Sequence, residues 1–421
     1  MQPHVLLLAT QRWPAGVRLG LAMRAVGFRV SIWCPRSHPL LLTHAVHRHH
    51  PYSVLDTVDS LEAAIIAADP QLIVPCDEPA TINLQQVTER ALATPRLHHL
   101  LSVIERSLGP VAGIKRLTER AYVLQVAAEA GAAVPLNTPI TTPAELRAWL
   151  SLNGFPAYLK SDGTFGGVGV RRIHAYDEAE AAFRALHASP GTIRALKRMA
   201  LDYDPTLLGP LFRRRHPLIS VQRAVPGVDT NSAIFCWQGQ VLAGITMQVV
   251  VTDYEMGPST VLRRIHNPAM DHTAEVLASR LNLSGFFGLD FILDEQTGIP
   301  WLLEMNSRAT QIVHLALGAG HDLPAAAFSA MCGVPVRPRP TETTEEIIAL
   351  FPQEWDRDPT SQFIQNAYHD VPWNVPELVR AYVSQRPGWR QLVTRRYWRK
   401  RRQQKPHLEA PAPSETAPRL P

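Results

Sequence analysis

Gly288-Leu289-Asp290-Phe291-Ile292-Leu293, a polar turn at 294–298, then Trp301-Leu302-Leu303-Glu304-Met305-Asn306-Ser307-Arg308: the reading of this stretch decides the fold. Two apolar runs around a turn rich in Asp, Gln, Thr and Gly read as a β-hairpin. Asp290 precedes Glu304 by fourteen positions, so a hairpin sets two carboxylates side by side. Period-two geometry then puts Glu304, Asn306 and Arg308 on one face. Carboxylate and amide oxygens are hard donors suited to Mg²⁺. A guanidinium beside them can hold charge on a phosphoryl group. Two plainer readings stand beside this one: a polar strand end closed by a salt bridge, and an Asp290 paired with an arginine rather than a metal.

Upstream, the strand at 156–160 ends in Lys160, followed by Ser161-Asp162-Gly163-Thr164-Phe165-Gly166-Gly167-Val168-Gly169-Val170. Glycines allow tight turns and bring bare N–H groups close to phosphate oxygens. The same pattern suits an ordinary hairpin with an exposed lysine. It is not a P-loop, because GKS or GKT is absent and the loop joins two strands. Strands are expected at 219–224, 230–237, 240–249, 286–293 and 300–305, and helices at 118–130, 177–188, 268–281 and 322–331. A further helix opens at Thr142 as N-cap with Pro143 at its first position.

The N-terminal third alternates differently. His4–Ala9, Phe28–Cys34 and Gln71–Pro75 read as buried strands, with helices between them, one beginning at Ser60 as N-cap. Alternation of this kind predicts a parallel sheet covered on both faces. No GxGxxG follows the first strand, which argues against a nicotinamide or flavin site. Asp77-Glu78-Pro79 follows a strand's carboxyl end, where it either faces a ligand or caps the next helix. His44, His47, His49 and His50 read as a solvated or substrate-facing loop rather than a metal site.

The 421 residues are 46% hydrophobic and 19% charged, with net charge +5, which is globular composition spread over several cores. Cys34, Cys76, Cys236 and Cys332 are scattered, against a disulfide scaffold or a thiolate zinc site. No apolar stretch approaches the roughly 18 residues of a spanning helix, and no secretory signal is read at the start, so a cytoplasmic protein is expected. The run Arg395–Arg402 is strongly basic, with Tyr397 and Trp398 within it and Trp389 before it. It is read as solvated, with nucleic-acid or anionic-membrane attachment as the other reading. Arg213-Arg214-Arg215-His216 reads as an exposed charged turn, and Arg263 with Arg264 as a candidate carboxylate contact.

Taken in order, Lys115, Lys160 with its glycine loop, Gln222-Arg223-Ala224-Val225-Pro226-Gly227, Asp290 and Glu304-Met305-Asn306-Ser307-Arg308 resemble the ATP-grasp superfamily. The leading unit resembles the domain that precedes ATP-grasp modules in carbamoyl-phosphate-synthetase-like proteins and carboxylate–amine ligases. The resemblance covers roughly residues 1–335. It implies α/β and α+β architecture: a Rossmann-like pre-ATP-grasp domain (1–112), then an ATP-grasp N-terminal subdomain with the glycine loop (113–217). A C-terminal subdomain with the metal site (218–338), an irregular, helical extension (339–405) and a disordered tail (406–421) follow.

By position, Lys115 and Lys160 resemble the lysines that contact ATP phosphates. Gly163, Thr164, Gly166, Gly167 and Gly169 would close over the triphosphate. Gln222, Arg223, Ala224 and Val225 resemble the adenine hinge, although the family often carries Glu at its first or second position. Asp229 falls where a ribose-binding or metal-proximal acid is found. Asp290, Glu304 and Asn306 resemble the Mg²⁺ ligands, Asp290 standing where many members carry Glu. Arg308 resembles the arginine that steadies the transferred phosphoryl group. The implied cofactors are ATP and Mg²⁺, with Mn²⁺ as a substitute. The implied activity is phosphorylation of a small-molecule carboxylate to an acyl phosphate, which an amine then attacks, in a protein that is commonly a homodimer. A non-catalytic nucleotide-binding protein of the same fold is the alternative. No Met-Lys-Met biotinyl carrier sequence is present.

Overall fold

The computed structural model describes residues 2–161, 169–187, 218–254 and 256–384. Chain contacts set residues up to Tyr382 apart from those that follow, and the fold below is that of the first unit. The basic run at 395–402 and Arg213–His216 lie outside the described residues.

The leading sheet is parallel, with strands β1 (His4–Leu8), β2 (Arg29–Cys34), β3 (Val46–Pro51) and β4 (Leu72–Pro75) in the order β3-β2-β1-β4. Helices α1 (Pro14–Ala25), α2 (Thr57–Ala68), α3 (Glu78–Ala93) and α4 (His99–Leu108) connect and follow these strands. All five residues of β1 are buried. Leu6 and Leu8 join one core and Val5 and Leu7 the other, which is why the strand reads as an unbroken apolar run. Helix α2 begins at Thr57, not Ser60. Ser60 lies one turn inside, where its Oγ accepts from Trp33 Nε1 at 3.2 Å and Ser53 N at 3.3 Å. Of the histidine cluster, His47, His49 and His50 lie in a strand, β3, rather than a loop, while His44 is in the turn before it. The strand sits at the sheet edge, where one side faces solvent and polar side chains are tolerated.

A small antiparallel sheet follows α5 (Arg120–Glu129): β5 (Asn137–Ile140), β6 (Ala157–Ser161), β7 (Val170–Ile173) and β8 (Ile219–Arg223), in the order β5-β8-β6-β7. The helix Pro143–Asn153 is capped as expected, Thr142 Oγ1 accepting from Glu145 N at 3.2 Å. This unit has its own core around Leu146, Leu159, Phe183 and Val221. Strand β8 belongs to it, so the division expected at 217/218 separates a strand from its sheet partners. The chain passes to the next sheet at 224–227.

The large sheet has β9 (Val228–Trp237), β10 (Gln240–Thr252), β11 (Ser259–Arg264), β12 (Gly285–Leu293), β13 (Pro300–Asn306), β14 (Ile347–Leu350) and β15 (Tyr368–Asp370). Its order is β13-β12-β9-β10-β11-β14-β15, with only the last pair parallel. The segment after 338, expected to be irregular and helical, thus adds two strands. Pairing with β11, more than eighty residues earlier, leaves no local signature.

Two contacts lock the leading domain to the large sheet. Arg18 of α1 is ion-paired to the buried Asp370 of β15, and Arg18 Nη1 also donates to the Asp370 carbonyl at 2.7 Å. At the other side, α4 lies on the start of β12. Ser107 Oγ accepts from Ile73 N at 2.8 Å, and its carbonyl sits where a Cβ on Gly285 would come within 2.1 Å. Gly285 also has φ +102°, a conformation in which a side chain is strained. Gly285→Ala is therefore expected to cost about 2–4 kcal/mol, read as a fall in the urea midpoint; an unchanged midpoint would show that the helix can slide away freely.

Candidate active site

The hairpin pairs Asp290 with Glu304 and Gly288 with Asn306. Its turn is held by Asp294, whose Oδ1 accepts from Gln296 N at 2.9 Å, and by Gly298 at φ +72°. A register shift after Asp290 brings Leu302 opposite Phe291, so Leu303 is an extra residue that re-aims the strand end. Asn306 Nδ2 donates to Asp290 Oδ2 at 2.9 Å, and Arg308 Nη2 donates to Asn306 Oδ1 at 3.0 Å. Four side chains 290, 304, 306 and 308 thus share one face, as period-two spacing requires.

Cations surround this face. Arg120, the first residue of α5, reaches Glu304 Oε2 through Nη2 at 2.6 Å and Nε at 3.2 Å. Lys160, at the end of β6, is buried, and burial followed by Arg120 lowers its pKa to about 8 against the pull of Glu304, Asp290 and Asp229. Burial also pushes Glu304 up, but Arg120 and Lys160 outweigh it and hold this carboxyl well below the usual range. Asp290 moves the other way: burial, then the Glu304 charge, raise it to about 7.

Two half-buried carboxylates side by side cannot comfortably ionise together without positive charge close by. The donor set of Asp290, Glu304 and Asn306 is oxygen throughout, and fits a hard divalent ion. A pH signature follows. Between its unfolded value of 3.8 and about 7, Asp290 binds more proton in the folded chain than in the unfolded one. Its contribution to stability therefore falls as pH rises through that window. The melting temperature of metal-free protein minus that of Asp290→Asn should decline from pH 4 to pH 7; a flat difference would contradict the raised value.

These side chains line a cavity of about 570 Å³, together with Gln222, Arg223, Val225 and Asp229. Of the residues named from sequence, Lys160, Gln222, Arg223, Val225, Asp229, Asp290, Glu304, Asn306 and Arg308 are brought together here. Gly169 and Ala224 flank the cavity without lining it: Gly169 O accepts from Ser161 N at 2.9 Å, and Ala224 N donates to Pro156 O at 3.3 Å. Gly163, Thr164, Gly166 and Gly167 lie outside the described residues. Lys115 stands apart. Ile114 and Leu117 of its short helix are buried, which turns Lys115 outward to pair with Glu89 Oε1 at 2.9 Å. The cation that this region delivers to the site is Arg120, which sequence reasoning missed. Arg120 acts through Glu304 rather than on the cavity wall, whereas Arg172 and Tyr158 on the small sheet line the cavity unforeseen. Arg263 and Arg264 do not line it; Met256–Ser259, just before them, does. Among the described residues no group of three or more His, Cys, Asp and Glu side chains is gathered that could hold a metal, so the candidate set rests on two carboxylates and the Asn306 amide.

No protein-family model matches the chain. Acetyl-CoA carboxylase 2 of Oryza sativa subsp. japonica is 26% identical over 200 residues, 47% of this chain and 8% of that protein, so the chain spans less than a tenth of that relative. Solved structures match more widely. The biotin carboxylase domain dimer of Hydrogenobacter thermophilus 2-oxoglutarate carboxylase, with MgADP, ADP and bicarbonate, superposes with TM-score 0.57 at 13% identity, over 80% of this chain and 71% of that one. Carboxyaminoimidazole ribonucleotide synthase from Aspergillus clavatus with ATP gives 0.55 at 16% identity, over 80% and 78%. Biotin carboxylase from Campylobacter jejuni gives 0.56 at 12% identity, over 80% and 72%. The fold is thereby fixed as ATP-grasp behind a Rossmann-like leading domain.

Proposed function

We propose that this chain, ATP-grasp by fold, is a magnesium-dependent ligase that phosphorylates a small carboxylate with ATP and passes the acyl group to an amine. One observation carries the reading: Asp290, Glu304, Asn306 and Arg308 share a strand-end face with Lys160 across it, all on one cavity. A non-catalytic binding protein would have no need of this metal-competent set.

The nucleotide base belongs at the hinge. There the Arg223 and Ala224 amides are already taken by Leu136 O at 2.9 Å and Pro156 O at 3.3 Å. Val225 and the buried Gln222, whose Nε2 has no partner among the described residues, are left to meet the base edge. Asp229, which lines the same cavity, takes the ribose in this reading. A Mg²⁺ ion held by Asp290, Glu304 and Asn306 would draw charge from the β- and γ-phosphates. Lys160 and Arg308 hold the charge that develops as the γ-phosphoryl moves to a carboxylate oxygen and ADP leaves. Arg120 keeps Glu304 ionised and aimed. Attack by an amine on the acyl phosphate then forms the C–N bond, releasing phosphate and a proton.

The test is calorimetric binding of Mg·ATP, followed by ADP release with pools of carboxylates and amines. Bicarbonate, present in the Hydrogenobacter structure, belongs in the carboxylate panel. Release that depends on a pool establishes the ligase; absence of Mg·ATP binding removes it. Mn²⁺ is expected to support turnover in place of Mg²⁺. The buried free thiols Cys34, Cys76 and Cys236 support a reducing, cytoplasmic setting; among the described residues no helix is long and apolar enough to cross a membrane. A homodimer is part of the same proposal, and sedimentation of the full chain decides it.

A further inference from the structure

The cavity has one wall that phosphoryl transfer leaves unused. It comes from the carboxyl ends of β1 and β4, where open parallel sheets bind ligands. Gln11 and Trp13 follow β1, and Asp77 and Glu78 follow β4; all four line the cavity. Asp77 is fully engaged. Its Oδ2 accepts from Thr10 N at 2.7 Å and Gln11 N at 3.1 Å, and its Oδ1 from Thr10 Oγ1 and Ala80 N, both at 2.9 Å. It caps α3 and ties the two loops together.

Glu78 is different. The loop after β13 crosses this wall, Ala309 N donating to Pro75 O at 2.9 Å. That crossing brings Arg308 Nε within 3.4 Å of Glu78 Oε2, an ion pair too long for a strong hydrogen bond. Only 12% of the Glu78 side chain is exposed, and this loose pair with Arg308 is the contact that holds it. Gln311, on the same loop, has its Oε1 buried without a partner while its Nε2 is spent on Ser259 Oγ. Arg308 is the cation on this wall, while Lys160, Arg172 and Arg223 line the cavity from the small sheet.

A wall with an unfilled Gln311 acceptor, an indole and a carboxylate held only loosely by Arg308 suits a ligand rich in donors and positive in charge. Resting on the ligase reading, we propose that Glu78 and Trp13 form an ammonium subsite, which takes the protonated nitrogen of an amino substrate such as an amino acid or a short diamine. The carboxylate makes a charge-assisted hydrogen bond to it, the indole face attracts the cation, and the Gln311 oxygen accepts a further N–H. A phosphate or carboxylate in the same place meets Glu78 with like charge and is rejected.

The experiment titrates the full chain, with Mg·ADP present, against the standard amino acids and short diamines, each beside its N-acetyl counterpart. At least one amino compound should bind, with its N-acetyl form about 10–100-fold weaker, the worth of one charged hydrogen bond. Glu78→Gln should weaken the cationic form by a similar factor, erase the discrimination, and leave Mg·ADP affinity within about twofold; Trp13→Leu should weaken it about fivefold. Equal binding of both forms, or no binding of any amino compound, overturns the subsite. So does a Glu78→Gln variant that weakens both forms alike, which is the signature of a carboxylate that only holds Arg308. If Mg·ADP itself does not bind, the ligase reading falls, and the same titration without nucleotide still decides the subsite.

Discussion

Glu304→Ala is expected to lower kcat for ADP formation by about 10³-fold or more, equivalent to at least ~4 kcal/mol of transition-state stabilisation. Three losses coincide in that one change. A carboxylate oxygen donor leaves the Asp290–Asn306 face. Arg120, only 9% exposed, loses the partner it holds at 2.6 Å. Lys160 loses the strongest of the three acid charges that offset its burial. Raising Mg²⁺ should not restore turnover, because the two cations would now confront each other across the vacated position. Glu304→Gln keeps the shape but not the charge, and should be nearly as slow. Retention of kcat within tenfold at saturating Mg²⁺ would remove Glu304 from the proposed machinery. A melting curve taken beside the rate distinguishes lost chemistry from a lost fold.

Asp370→Ala is expected to be the most damaging single change to stability away from that site, at about 3–5 kcal/mol. Asp370 is 1% exposed and serves two partners: Arg18 of α1 on one oxygen and His314 Nε2 at 2.8 Å on the other. Removing it strands a guanidinium that is itself 90% covered, with the Asp370 carbonyl as its remaining partner among the described residues. The urea midpoint of the variant measures the loss, and a shift worth under ~1 kcal/mol would mean that the leading domain does not depend on this pair. Burial alone would raise the Asp370 pKa, but Arg18 and His314 outweigh it and hold the carboxyl low. The folded value lies below the unfolded one, so the stabilisation is present above the ordinary carboxylate range and is lost as pH falls through the folded value. In the variant that part of the acid sensitivity should be absent.

Much of this centre was legible because its chemistry is local. Asp290 and Glu304 sit on neighbouring strands of one hairpin, and alternation alone puts Asn306 beside them. The helix Pro268–Leu281 carries its own boundaries, with Asn267 accepting from Ala269 N and Met270 N at one end and Asn282 in the left-handed region at the other. What stayed hidden is non-local. Arg120 meets Glu304 across 184 positions, and nothing near Arg120 distinguishes it from Lys115, which packing turns away. Strand β8 could be recognised as a strand but not assigned to a sheet, since its partners are β5 and β6 rather than the strand that follows it. Strands β14 and β15 are four and three residues long, too short for a periodic signal, and exist because β11 offers them an edge.

The pairing of Arg18 with Asp370 also sets an order of events during synthesis. The two residues are 352 positions apart, which at common elongation rates separates their appearance by about 20–70 s. Through that interval the leading domain can close its parallel sheet, but α1 carries a cation with no counter-ion, and β11 ends the large sheet as an open edge of the kind that recruits stray strands. A ribosome that stalls just before residue 370 therefore releases a chain with all of the proposed active-site residues made and its last seam unsewn. Such a fragment would be a natural client for chaperones and proteases.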